Sequence, residues 1–208
     1  MALTLIDSLT LFDAIFTPPK GDLPVLPIEH MPLAIAVLQH ILTSPSITNL
    51  RTLAADKPDQ YIAWLLASLS PWAGHMDTKN STPAAVAAAR EGLKMMTKIT
   101  HIIACSYRNY DMIHSVVQKG GLSRSGAGMF VRKLGPSWRM QYLCALILEA
   151  IPYWKEGGAD GTQEVLAKYS VLLSQIKDMG LEEAHTLKTV LNVCASFTRR
   201  WCSYLTCS

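Results

Sequence analysis

The sequence predicts an all-α protein, an irregular multi-helix bundle of about eight to ten helices. Half of the 208 residues are hydrophobic and only 17% are charged, a balance typical of chains that bury a core. Apolar residues recur at helical spacing in almost every segment. Proline and glycine mark the ends of these segments, and the sequence contains no convincing hairpin pattern, no strand–helix alternation and no repeat of fixed period.

Each predicted helix has its own start and stop signals. Residues 1–16 form an amphipathic pattern, and Thr17-Pro18-Pro19 ends it. Thr82 is expected to cap the helix that follows Pro83, and Gly120-Gly121 to end a long one. The helices predicted after the first cover residues 31–43, 58–70, 84–95, 97–119, 123–134 (a short helix or a turn), 137–153 and 162–179, with one or two more from 181 to 202.

The apolar faces of these helices predict a core, and the stretches between them predict linkers. We expect seven side chains to be buried: Trp64, Leu65, Leu69, Ile102, Ile103, Leu146 and Ile147. The predicted linkers are residues 18–32, 75–82 and 156–161. None of them is long enough to force a division into domains.

Composition argues against several classes of protein. The formal net charge of +3 permits an anionic partner without demanding one. No apolar run reaches the roughly 18 residues that span a bilayer, and no signal-peptide pattern opens the chain, so we expect no membrane segment. The cysteine usage fits a reducing compartment, so we expect an intracellular protein. The five cysteines include no Cys-x-x-Cys pair, which argues against structural zinc, and we expect Cys105 and Cys144 to be buried thiols.

The motifs of catalysis and metal binding are missing from the sequence. Nucleotidyl transfer needs closely placed carboxylates to hold two divalent cations, and no Asp-x-Asp occurs. No His-Glu-x-x-His occurs, and no two histidines lie three or four residues apart. The glycine-rich stretch 120–128 lacks the phosphate-loop pattern, which favours a helix break and turn. We therefore predict no catalytic residue, metal ligand or cofactor in this chain.

A basic cluster around one turn is the best candidate site. Arginine and lysine at helix ends are well placed to reach phosphate oxygens, and an indole ring can stack on a base. The alternative, purely structural interpretation is that the cations are solvated helix ends and that the tryptophan is a core anchor or fixes the turn. The residues predicted to bind RNA are Arg124, Arg132, Lys133, Trp138 and Arg139, around the turn at Gly135-Pro136.

Four segments carry a resemblance to a known family. They are Leu-Ile-Asp-Ser-Leu-Thr-Leu-Phe-Asp-Ala-Ile-Phe at 5–16, Asp-Gln-Tyr-Ile-Ala-Trp-Leu-Leu-Ala-Ser-Leu-Ser-Pro-Trp at 59–72, Thr-Pro-Ala-Ala-Val-Ala-Ala-Ala-Arg-Glu-Gly-Leu-Lys at 82–94 and Gly-Leu-Glu-Glu-Ala-His-Thr-Leu-Lys at 180–188. In order and spacing they resemble the body region of eukaryotic, especially fungal, CCA-adding tRNA nucleotidyltransferases. The segments are helix-packing motifs, so the resemblance depends on order and spacing together.

The resemblance implies that this chain is the tRNA-binding body and tail of such an enzyme. The catalytic head and neck, which in the family bind Mg²⁺, CTP and ATP, have no counterpart among these residues. The chain would hold the elbow of tRNA while a head domain adds the CCA end, and it would also contact that head and neck or a second copy. Alone it would not add CTP or ATP to tRNA. The alternative is a noncatalytic helical scaffold that binds protein partners.

The sequence departs from the family pattern in two places. The basic segment between Gly121 and Ser137 looks shortened, and residues after about 188 lack the family's glycine- and proline-containing tail motif. We therefore expect a helical body domain at 1–155 and a divergent or incomplete helical tail at 156–208. Nothing in the sequence distinguishes a mitochondrial, nuclear or cytoplasmic location.

Overall fold

The computed structural model describes residues 30–77 and 82–182. Within these residues the protein is all-α, as predicted, and contains nine α-helices. The predicted opening helix, most of the linker at 18–32 and the helices expected beyond residue 182 lie outside the described residues. In the described part, the β-structure is a single antiparallel pair of two-residue strands, in which Met76 lies opposite Pro83 and Asp77 opposite Thr82.

The helices follow one another with short connections, as apolar periodicity and proline and glycine punctuation predict. Single 3₁₀ turns join some of them, at Pro45–Ile47, Thr52–Ala54 and Ser70–Trp72. In chain order the α-helices are α1 His30–Thr43, α2 Thr48–Arg51, α3 Lys57–Ser68, α4 Ala84–Ala87, α5 Thr97–Arg108, α6 Tyr110–Gln118, α7 Arg124–Leu134, α8 Trp138–Gly161 and α9 Gln163–Asp178.

Helix α8 is the centre of the fold. Its first half is buried almost without interruption from Trp138 to Ile151, because other helices cover it on every side. Helices α1, α3, α5, α6, α7 and α9 all pack against it. A helix that is apolar all round belongs in a core, and this one organises the others.

Five of the seven side chains predicted to be buried are buried. The confirmed residues are Leu65, Leu69, Ile103, Leu146 and Ile147. Trp64 and Ile102 are only half-buried, so the prediction was wrong for them. Both lie at the edge of their helix's apolar face, where a large side chain packs on the core and keeps one side in solvent.

The predicted long helix at 97–119 is two helices, α5 and α6, which meet at Asn109. The backbone of Asn109 leaves helical geometry there, with φ −92° and ψ 5°. Its side-chain Nδ2 donates to Gln141 Oε1 on α8 at 2.7 Å. The break therefore depends on a tertiary hydrogen bond that local sequence does not show.

The N-cap position of α4 belongs to Pro83 and not to Thr82, so that prediction was also wrong. Thr82 and Pro83 are the second strand of the short pair, and Pro83, with φ −52° and ψ 130°, precedes the first helical residue. The Ala84 N–H donates to the His75 carbonyl at 2.9 Å, which fixes this start. Helix α4 then widens into a π-helical segment, Ala88–Gly92, before residue 95.

The helical segment Trp138–Gly161 continues past the predicted end at Pro152, and it breaks inside the predicted linker at 156–161. Its backbone kinks at Gly158, where φ is 59° and ψ −140°. At Gly161 a Cβ atom would lie 2.6 Å from the Tyr153 carbonyl oxygen, so only glycine fits that approach. Because α9 follows at once and packs on α8, the two sides of residue 155 are in contact. The division at 155 stays a prediction.

Across the described ranges, no single helix is long and apolar enough to cross a membrane. One pair, α1 with the segment 45–54, passes that test together on length and composition, with a bend of 75° between its halves.

Candidate nucleic-acid interface

Helix α7 is fixed at its start and along its inner face. The Ser123 hydroxyl accepts from the Gly126 N–H at 3.2 Å, an N-cap that satisfies one free donor of the first turn. The buried side chains Ala127, Phe130, Val131 and Leu134 follow helical spacing and face the core. Phe130 meets the ring of Tyr142 on α8 edge to face, with 6.5 Å between centroids. The outer face of α7 is therefore held in one orientation.

Three of the predicted RNA-binding residues lie on the outer side of α7. Arg124 is the first residue of the helix, and Arg132 and Lys133 are in its last turn; all three are exposed. Arg124 and Arg132 are eight residues apart, which is about 12 Å along a helix axis. Among the described residues, none of the three has a carboxylate within ion-pair distance.

The helix macrodipole favours two of these cations and disfavours the third. Arg132 and Lys133 lie at the negative C-terminal end of α7, so part of their role can be helix stability. Arg124 lies at the positive N-terminal end, where a cation is unfavourable. Its presence there has no stabilising explanation in the described contacts.

Hydrogen bonds from Gln141 on α8 fix the turn between α7 and α8. The sequence interpretation missed this residue. Its side-chain Nε2 donates to the Leu134 carbonyl at 2.7 Å and lies 2.9 Å from the Ser137 hydroxyl oxygen. Its Oε1 accepts the Asn109 hydrogen bond, so this buried amide joins α5, α6, α7 and α8. A glutamine inside an apolar helix was the available signal, because a buried amide requires partners.

Trp138 is a core anchor in this structure. Its side chain is only 1% exposed, and its Nε1–H donates to the Glu182 carbonyl at 3.0 Å. The ring also meets Tyr142 at a steep angle, with 6.4 Å between centroids. Of the two roles considered for this ring, fixing the turn fits the buried position; stacking on a base would require α8 to open.

Arg139 is engaged with neighbouring groups. Its guanidinium lies 5.7 Å from the centroid of the Trp138 ring, and one of its nitrogens lies 3.4 Å from Glu182 Oε1. Its charge also reaches Asp59, whose pKa is raised by partial burial and by Asp56 and lowered by Arg139. The structure thus divides the predicted cluster into three exposed cations on α7 and two residues that hold residue 182 against α8.

Two sets of groups elsewhere in the described residues, the possible metal ligands and the cysteines, bear on the sequence predictions. No group of three or more histidine, cysteine, aspartate or glutamate side chains in this part of the chain could hold a metal ion. Cys144 is buried, as expected, and burial raises the pKa of its thiol to about 12, so it stays protonated and unreactive. Cys105 is only half-buried, so the expectation of a buried thiol was wrong for it.

A buried polar cluster in the interior surrounds Glu149 on α8. Its carboxylate accepts from the Gln118 side chain at 2.7 Å and from the Tyr169 hydroxyl at 2.7 Å, and it lies 2.9 Å from His114 Nδ1. Burial and the neighbouring carboxylate raise the pKa of Tyr169, so the phenol stays a donor. The cluster joins α6, α8 and α9, and the sequence interpretation did not identify it.

Comparison with known proteins found three curated fungal relatives. Nucleotidyltransferase lcsQ of Purpureocillium lilacinum is 30% identical over 167 residues, 72% of this chain and 28% of the relative. The tRNA nucleotidyltransferase cca1 of Schizosaccharomyces pombe is 26% identical over 204 residues, 92% of this chain and 40% of the relative. The mitochondrial CCA tRNA nucleotidyltransferase of Candida glabrata is 24% identical over 117 residues, which are 54% of this chain and 22% of the relative.

This chain therefore spans well under half the length of each of these relatives. No protein-family model matches it, and no solved structure does.

Proposed function

Because this chain belongs to the family of the fungal CCA-adding tRNA nucleotidyltransferases, we propose that it is the part of such an enzyme that binds tRNA. It holds the tRNA elbow through the phosphate backbone, and a catalytic part outside this chain adds the 3′ nucleotides. The observation that carries the proposal is the set of exposed cations on α7, Arg124, Arg132 and Lys133, on a helix fixed to the core.

The local geometry supports phosphate contact rather than base recognition. The cations project from a rigid helix, and no carboxylate of the described residues neutralises them. Arginine and lysine side chains at helix ends reach phosphate oxygens readily. Phosphate contacts position a nucleic acid and carry no sequence information, which suits a protein that must accept every tRNA.

The firm attachment of α7 supports the positioning role. Gln141 and Trp138 fix the turn after α7 through hydrogen bonds to Leu134 and Glu182. A contact surface with little freedom loses less conformational entropy when it binds. The elbow would therefore be held at a constant distance from the catalytic part.

The experiment compares tRNA binding by this chain with that of Arg132→Ala/Lys133→Ala. We expect weaker binding by a similar factor for several tRNAs of different sequence, because the lost contacts read only phosphates. The matched control is Lys94→Ala/Lys98→Ala, which removes the same charge from two exposed residues, one in the connection before α5 and one in its first turn. Equal weakening by the two variants, or none by the first in a folded protein, would remove α7 from the RNA surface.

The scaffold alternative has one observation in its favour. Met96 and Met129, exposed by 71% and 68%, are the two most exposed large apolar side chains of the described residues. Met129 lies on α7 three residues before Arg132, so a protein partner would cover the same helix. Apolar contacts respond weakly to salt and phosphate contacts respond strongly, so the salt dependence of binding separates the two functions.

A further inference from the structure

A cavity of about 600 Å³ lies on another part of the molecule, and neither the sequence nor the relatives assign it a role. It opens between the start of α1, the 3₁₀ turn Ser70–Trp72 with the loop that follows, the junction of α5 and α6, and the second half of α8. Its volume is in the range of small-molecule sites. Such sites are mostly apolar and contain a few well-placed polar groups.

One residue of the cavity wall carries a buried hydroxyl that has no partner. Ser70 lines the cavity and is 2% exposed. Within the described part of the chain, its Oγ has no hydrogen-bond partner. Buried hydroxyls are almost always paired, since leaving one unpaired destabilises the fold. Because its Oγ is closed to solvent, the Ser70 side chain has to rotate toward the cavity before a polar atom of a bound molecule can supply the missing partner.

Two tyrosines and two aliphatic side chains give the cavity rigid, flat walls. The Tyr107 hydroxyl donates to the Leu66 carbonyl at 2.9 Å, and Tyr110 stacks on His114 at 5.9 Å with 23° between the rings. Burial raises the pKa of both phenols, so they remain neutral. Leu148 and Ile151 of α8 complete the apolar part, which suits a planar ring.

The rim of the cavity carries groups that bind anions and hydroxyls. Lys155 on α8 and the imidazoles of His30 and His75 are exposed and line the opening. An ammonium and two imidazoles can donate hydrogen bonds to a phosphate group. Asp111 on α6 lies on the same rim and can accept hydrogen bonds from sugar hydroxyls.

We propose that this cavity binds one nucleotide unit. The base lies between the tyrosine and aliphatic walls with a polar edge at Ser70, the ribose faces Asp111, and the phosphate meets Lys155 and the two histidines. The nucleotide is either a free nucleoside monophosphate or an unpaired nucleotide of an RNA. In the second case the inference rests on the proposed function, because the RNA is then the one bound at α7.

The direct test measures binding of AMP, GMP, CMP and UMP to the chain by equilibrium dialysis. We expect at least one to bind with a Kd of about 1 mM or tighter. Adenosine and inorganic phosphate, each with half of the recognised groups, should bind about tenfold or more weakly. No binding of any monophosphate, or equal binding of inorganic phosphate, would overturn the proposal.

Variants of the cavity wall test whether the nucleotide binds in this cavity. Ala73→Phe should fill the cavity and abolish binding, because residue 73 lines it with backbone angles, φ −59° and ψ 128°, that any residue adopts. Lys155→Gln should weaken binding of the monophosphates but not of adenosine. Lys98→Gln, which removes an exposed lysine away from the cavity lining, should change neither.

Ser70→Ala separates ligand recognition from a structural role. If the hydroxyl serves only a ligand, its removal should weaken nucleotide binding about fivefold to tenfold and leave the melting temperature equal or higher. A lower melting temperature with unchanged binding would show that the hydroxyl stabilises the fold, and would contradict the proposal.

Measuring tRNA binding to Ala73→Phe distinguishes a free nucleotide from an unpaired RNA nucleotide. Together with nucleotide binding, tRNA binding also distinguishes failure of this inference from failure of the proposed function. Lower tRNA affinity than wild type would identify an unpaired RNA nucleotide as the occupant, and unchanged affinity beside lost AMP binding would identify a free nucleotide. Nucleotide binding in a chain that does not bind tRNA would refute the proposed function alone. Binding of tRNA through α7 by a chain that binds no nucleotide would refute this inference alone.

Discussion

The polar groups on the outer face of α7 and those in the interior of α8 differ in burial and in the partners they have within the protein. In α8, Gln141 and Glu149 are buried, and each is matched by hydrogen-bonding partners on other helices. On α7, Arg124, Arg132 and Lys133 are exposed, and no carboxylate of the described residues pairs with them. The interior groups have their explanation within the fold, whereas the charges on α7 are available to a partner. Changes in α8 should therefore alter stability, and changes on α7 should alter binding.

The largest effect on stability is expected at Trp138. Replacing it with alanine leaves a cavity at the α7–α8 turn and removes the hydrogen bond to the Glu182 carbonyl. Loss of a buried tryptophan destabilises a protein by about 3–5 kcal/mol. Urea denaturation followed by circular dichroism measures the change in the free energy of unfolding. A loss below about 1 kcal/mol would contradict the role of Trp138 as a core anchor.

Glu149→Ala should have the next largest effect. It leaves Tyr169 and Gln118 without their acceptor inside the core. Breaking a buried network of this kind destabilises by about 3 kcal/mol. Glu149→Gln is the matched control, since it keeps the shape and one acceptor oxygen and should lose less. If Glu149→Ala is as stable as the wild type in urea, the network contributes little.

Alanine substitutions at two glycines of α7 should change the stability of the protein in opposite directions. Gly135 ends α7 with φ 75° and ψ −161°, a conformation almost restricted to glycine, so Gly135→Ala should destabilise by about 1–3 kcal/mol. Gly128 lies inside α7, where a Cβ would meet Leu181 at an ordinary 3.9 Å, so Gly128→Ala should stabilise by up to about 1 kcal/mol. Thermal melts of both variants check this, and shifts of the same sign would contradict it.

The smallest effect on stability is expected from the cations themselves. Arg132→Ala/Lys133→Ala removes two exposed side chains, and their interaction with the helix dipole is the stabilising contribution we expect to be lost. We expect a change of about 1 kcal/mol or less in the free energy of unfolding by urea. A loss comparable with that of Trp138→Ala would mean that these residues are structural and would break the contrast between the two regions.

Sequence patterns predicted the helices well because their signals are local. Apolar spacing together with Pro58 located α3, and Ser123 followed by a helical pattern located α7. The errors arose where a distant contact decides local structure. The break at Asn109 depends on Gln141, which is 32 residues away, and the end of α4 depends on a π-helical segment that no propensity indicates.

The candidate site was predictable only in part, for the same reason. The clustering of Arg124, Arg132 and Lys133 is visible in the sequence, and their exposure follows from the apolar stripe on the other side of α7. The burial of Trp138 depends on Glu182, 44 residues away. The cavity at Ser70 is formed by segments from four parts of the chain, so no sequence window contains it.

The central claim, that the exposed cations of α7 contact tRNA phosphates, is tested most directly by the salt dependence of tRNA affinity. Filter binding at several salt concentrations gives the slope of log affinity against log salt for the wild type and for Arg132→Ala/Lys133→Ala. Each lost phosphate contact reduces the slope by about one unit, so we expect the variant to be flatter by about two. The same slope and affinity in both proteins, with the variant shown to be folded, would contradict the claim and favour the protein-binding scaffold.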